Sequence, residues 1–114
     1  MKIISPDMHG FSDYIVALVL IVAPFVLFSA QTDPLVFYIP VVAGVGLISY
    51  SIITDNAAGL KRIIPFKMHL AIDFVATAGF VILAFILDLQ GIEKLFYLGM
   101  GLGGMIFVLT TKTE

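Results

Sequence analysis

The sequence predicts an all-α polytopic membrane protein: four transmembrane helices forming two tandem, parallel helical hairpins about a pseudo-twofold axis along the membrane normal. Three observations carry this. The 114-residue chain is 61% hydrophobic and 12% charged, more apolar surface than a soluble fold of this size can bury. Asp, Glu, Lys, Arg and His are absent from Tyr14 to Thr32, Pro34 to Thr54, Phe74 to Leu87 and Leu95 to Thr111. The two histidines stand in MHGFSDY, from Met8, and MHLAIDF, from Met68, so one pattern recurs.

A helix needs about 20 mostly apolar residues to cross a bilayer. The first span, 8–29, is opened by Ser5-Pro6-Asp7: a capping hydroxyl, a Pro in the first turn and an acid near the positive end of the helix dipole. Pro24 lies inside it and predicts a kink. Gln31-Thr32-Asp33-Pro34 is a turn leading to the second span, 35–54, where Pro40 disturbs the ladder. Pro65 marks the start of the third, 67–87, which reaches full length only by including His69 and Asp73. Asp88-Leu89-Gln90-Gly91 turns into the fourth, 92–111, whose ends are extended by snorkelling Lys94 and Lys112. Strands of a membrane barrel would alternate apolar with polar residues, and these runs do not. A cleaved leader fits poorly, since Phe28 would occupy the −3 position of a cut after Ala30.

The halves 1–60 and 61–114 read as one repeated hairpin within a single domain. The first and third spans align at a shift of 60, which matches Met8, His9, Asp13 and Tyr14 with Met68, His69, Asp73 and Phe74. The second and fourth align at 59, which matches Phe37, Tyr38, Gly44, Thr54 and Asp55 with Phe96, Tyr97, Gly103, Thr113 and Glu114. One residue is then missing from the second turn. Hairpins repeated in tandem point the same way, which makes the repeat parallel. Gly44, Gly99 and Gly103 are the candidates for close helix packing, Gly99 and Gly103 as a GxxxG. Tyr14, Tyr38, Tyr50 and Tyr97 are expected in the interfacial aromatic belts.

Lys2, Lys61, Arg62, Lys67 and Lys112 flank the spans on one side, against Lys94 on the other. This predicts a cytoplasmic (inner) membrane protein with both termini cytoplasmic. Without cysteine there is no thiol redox chemistry, disulfide or thiolate metal site. No basic stripe suggests nucleic acid. The expected partners are the lipid bilayer and, beyond it, another membrane protein or a second copy.

The stretches HGFSDYIVALVLIVAPF, TDNAAGLKRIIPFKMH and the second HLAID resemble small bacterial membrane proteins with the SPW repeat. At the Ser-Pro-Trp position this chain has Ala23-Pro24-Phe25 and then Leu83-Ala84-Phe85. The resemblance implies a four-helix membrane protein and no defined activity.

His9 and Asp13 are four apart and share a helix face, as do His69 and Asp73. Parallel repeats set both pairs at one depth, and ionisable groups within a span turn inward and find partners. His9, Asp13, His69 and Asp73 are therefore expected to form one buried polar cluster, joined by Asp55. The leading expectation for it is a structural or accessory role, tying the first and third helices together. Two imidazoles and two carboxylates also suit zinc, iron or manganese, and His9 with His69 would be the minimum for a b-type haem. Transport of protons, ions or a small solute ranks last, because the far halves of the spans lack polar lining. No nucleophile–base pair or phosphate loop argues for an enzyme.

Overall fold

The computed structural model describes residues 2–113. Its elements are α1 (Pro6–Leu27), α2 (Pro34–Ile52), α3 (Phe66–Ile86) and α4 (Gly91–Leu109). All four are long and apolar enough to cross a membrane. The long axis measures 42 Å, close to a bilayer with its head-group regions. Ile15, Val26, Val75 and Ile86 each expose about two-thirds or more of their surface, which only a lipid environment accommodates across a whole molecule. This is an integral membrane protein.

Each helix begins where the local chemistry allows. Ser5 Oγ accepts from Met8 N at 3.1 Å, and Asp33 Oδ1 accepts from Leu35 N at 2.8 Å, with Pro6 and Pro34 as first helical residues. The third helix starts after Pro65 without a side-chain cap. The α3–α4 turn is made by Asp88 and Gly91, both at positive φ, with Leu89 buried between them.

Within each hairpin the two helices pack closely, whereas helices of different hairpins approach each other far less. Hydrophobic driving force between helices is absent in lipid, so close packing and hydrogen bonds must hold them. A Cβ built on Gly44 would lie 2.7 Å from Ala17 O, and one on Gly101 would lie 2.8 Å from Thr77 O. These two glycines bring α2 onto α1 and α4 onto α3 in the same way.

That equivalence corrects the repeat register. The third helix begins 60 residues after the first, as expected, but the fourth begins 57 after the second, not 59. Gly44 therefore pairs with Gly101, Pro40 with Tyr97, Tyr50 with Phe107 and Thr54 with Thr111. Two residues amount to about 200° of helix rotation, so the expected partner Gly103 turns away from the α3 contact that Gly101 makes. Gly99 and Gly103 have open space where a Cβ would stand, so no close helix approach requires them; Gly101 and Gly104 approach α3 instead. Glu114, the expected partner of Asp55, lies outside the described residues.

Two sets of ties close the molecule. At the end carrying the termini, Ile3 and Ile4 pair with residues 110–112, and residues 63 and 64 pair with 53–55. At the turn end, Thr32 Oγ1 donates to Glu93 at 2.7 Å, and Tyr97 donates to Val36 O at 2.7 Å. Of the four tyrosines expected in interfacial belts, only Tyr38 is largely exposed. Tyr97 is fully buried in the core, and Tyr14 donates to Ala58 O in the central connection.

Candidate functional site

His9, Asp13, His69 and Asp73 come together near the terminal end of the bundle. Their exposures are 0, 4, 0 and 8%. The i, i+4 spacing sets each His and its Asp on one face of α1 or α3, and the twofold arrangement turns those faces toward each other. The pairing crosses between helices. His9 Nε2 lies 2.8 Å from Asp73 Oδ2, and His69 Nε2 lies 2.6 Å from Asp13 Oδ2. The contacts within each helix are longer, 3.3 Å for His9–Asp13 and 3.2 Å for His69–Asp73. Two nitrogens and two oxygens thus alternate around a closed ring. One ligand atom from each residue lies within 4.8 Å of the other three.

The outer nitrogens fix the protonation. Thr111 Oγ1 sits 2.6 Å from Phe107 O and 2.9 Å from His9 Nδ1. Thr54 Oγ1 sits 2.6 Å from Tyr50 O and 2.8 Å from His69 Nδ1. A hydroxyl has one proton, and contacts of 2.6 Å to carbonyl oxygens require it there. Each threonine oxygen must then accept from Nδ1–H. Both imidazoles are held with Nδ1 protonated and Nε2 aimed into the ring. Aromatic rings add rigidity: Phe107 stacks on His9 at 4.4 Å, Phe66 stacks on His69 at 5.7 Å, and the two imidazoles meet edge to face at 5.6 Å.

With Nε2 also protonated, two imidazoliums face two carboxylates and the ring is neutral. With Nε2 bare, one divalent cation gives the same neutrality. Either state suits a low-dielectric interior, where a lone charge is expensive. Zinc bound at about 2.0–2.1 Å has tetrahedral edges of about 3.3 Å. Two ring edges already match; the two short ones would open by about half an ångström or slightly more.

Asp55 does not join. It is exposed, and its backbone N–H pairs with Ile64 O at 2.8 Å. The second helix ends at Ile52, so Thr54 and Asp55 lie beyond it in the turn that leads to the central connection, the first buried and the second exposed. Thr54 turns in and Asp55 turns out. In its place the cluster recruits Tyr50, whose hydroxyl donates to Asp73 Oδ1, together with Thr54, Thr111, Phe66 and Phe107. The sequence reading missed all five. An α2–α4 register of 57 would have paired Thr54 with Thr111 and Tyr50 with Phe107.

The remaining chemistries fare unequally. A porphyrin between His9 and His69 would need an empty slab there, yet Asp13 Oδ2 lies within 3.3 Å of both Nε2 atoms. Haem does not fit. Toward the turn end, past Ser12 and Thr77, the interior is walled by residues such as Leu20, Leu47 and Phe80, which gives an ion no polar path. Among family models, curated proteins and solved structures, none matches the chain.

Proposed function

We propose that this is a small accessory protein of the cytoplasmic membrane, whose two hairpins are clasped by a His₂Asp₂ centre that binds a divalent transition metal, zinc first by its donor set. The observation that carries the reading is the ring itself: one donor atom from each of four buried side chains, within 4.8 Å of one another, with both imidazoles oriented by threonine hydroxyls. Such outer partners are what metal-ligating histidines use to fix their tautomer. His9 and His69 would supply Nε2, and Asp13 and Asp73 would supply Oδ2. Four protein ligands close the sphere, which fits a structural ion rather than a catalytic one.

A second reading has its own support. The 2.6 and 2.8 Å contacts are the lengths of charge-assisted hydrogen bonds, so the ring also closes on protons alone. Elemental analysis of the purified protein, with zinc titration in lipid nanodiscs, separates the two. One zinc per chain, lost in His9→Ala/His69→Ala, supports the metal centre. A stable protein that takes up none leaves the proton-held clasp.

Orientation belongs to the same proposal. Lys2, Lys61, Arg62, Lys67 and Lys112 stand at the terminal end and only Lys94 at the other, which supports cytoplasmic termini. Kinship with SPW-repeat proteins is proposed on the doubled HxxxD and on Pro24 within α1. Cysteine accessibility at Lys112 and Lys94 tests the orientation: labelling from outside intact cells at position 94 alone is expected.

A further inference from the structure

Between the hairpins, beside the ring, lies a cavity of about 580 Å³ lined by residues of all four helices. That volume is typical of small-molecule sites. Its walls follow the pseudo-twofold: Val16 is matched by Ala76, Leu20 by Phe80, and Gly46 by Gly103. Gly46, Gly99 and Gly103 line it, and a Cβ on any of them would meet nothing within 4 Å. No close helix approach requires these glycines, although each lowers helix propensity. Their effect is to keep the cavity wide.

One atom gives the cavity a chemical preference. Asp73 Oδ1 accepts from Tyr50, but at the equivalent position the second hairpin has Phe107, which lies flat on His9. Asp13 Oδ1 consequently accepts no hydrogen bond among the described residues. Asp13 is 4% exposed and lines the cavity, and its Oδ1 is not one of the sealed, unpartnered atoms; that position belongs to Ser51 Oγ. A carboxylate oxygen within a membrane span calls for a donor, and the opening in front of it is apolar. The ring is neutral with two protons or with one divalent ion, so a cationic donor would bring an uncompensated charge and an uncharged one would not. This holds whether or not metal binds.

We propose that the cavity is a binding site for an uncharged amphiphile from the bilayer, an apolar body carrying one hydroxyl, with the hydroxyl donating to Asp13 Oδ1 and the body lying between the hairpins against Val16, Leu20 and Phe80.

The test uses the full chain in nanodiscs with a diazirine-bearing long-chain alcohol, its labelled residues mapped by mass spectrometry. Label is expected on cavity-lining segments 43–50 and 99–107, displaced by decanol and far less by decane or decylammonium. Gly46→Leu/Gly103→Leu should fill the space and abolish labelling while thermal stability is kept. Phe107→Tyr, by giving Asp13 its own donor, should weaken decanol competition about tenfold, the value of one hydrogen bond to a charged acceptor. Three results overturn the proposal: equal competition by decane, labelling unchanged in the filled variant, or decanol competition unchanged in Phe107→Tyr. Zinc content is read in the same samples, so failure here is distinct from failure of the metal centre.

Discussion

The two hairpins share a frame and differ at its inner surface. Gly44 and Gly101 make the same approach to the preceding helix; His9 and His69 make the same crossed pairs; Thr54 and Thr111 hold the same ring nitrogens. Elsewhere in the interior the symmetry lapses. Tyr50 stands opposite Phe107, Ser51 opposite Val108, and Pro40 opposite Tyr97. The lesson is that the ring demands both halves alike, whereas one difference between them, Tyr50 against Phe107, leaves the cavity its open carboxylate oxygen. Each difference can be erased or exaggerated by substitution.

Breaking what the halves share should have the largest effect. His9→Ala/His69→Ala leaves two buried carboxylates without their partners, and removing one side of a buried pair costs about 3–5 kcal/mol. Thermal unfolding in detergent or nanodiscs should show a large loss, and an unchanged midpoint would refute the clasp. Gly44→Leu and Gly101→Leu should each destabilise by about 1–3 kcal/mol through overpacking, whereas Gly103→Leu should be nearly neutral, because its Cβ meets open space.

Changes to the differences are smaller. Tyr50→Phe makes the first hairpin resemble the second and strips Asp73 Oδ1 of its donor; a loss of about 1.5–3 kcal/mol is expected, read in the same unfolding assay. Ser51 is buried with its hydroxyl unpartnered, so Ser51→Val, copying Val108, should stabilise by about 1 kcal/mol. If zinc is bound, its retention should fall on acidification, since protons compete for both ring nitrogens and carboxylates. Zinc held equally at pH 5 and pH 8 would speak against this ligand set.

Much of the frame was legible in the chain. Uncharged runs and Pro-led starts placed all four helices within about two residues of their ends. The HxxxD repeat named the four ring residues because ionisable groups are so scarce here that any pair in a span stands out. What escaped depended on register. Apolar helices tolerate sliding, and Phe37-Tyr38 against Phe96-Tyr97 offered a persuasive but wrong match of two adjacent aromatics. That slip hid the threonine and Tyr50–Phe107 equivalences and assigned packing to the exposed Gly99 and Gly103. Asp55 is misplaced for a related reason: the expected span runs to 54, whereas α2 ends at Ile52, and the turn that follows buries Thr54 and exposes Asp55.

The central claim is that α1 and α3 share one site through crossed pairs, and a double-mutant cycle on His9 and Asp73 tests it most directly. Unfolding free energies of His9→Ala, Asp73→Ala and the double variant would be compared in nanodiscs. The account predicts a coupling of about 1–3 kcal/mol between residues 64 positions apart in sequence. Additivity to within about 0.5 kcal/mol would mean that the two side chains do not meet, and would contradict it.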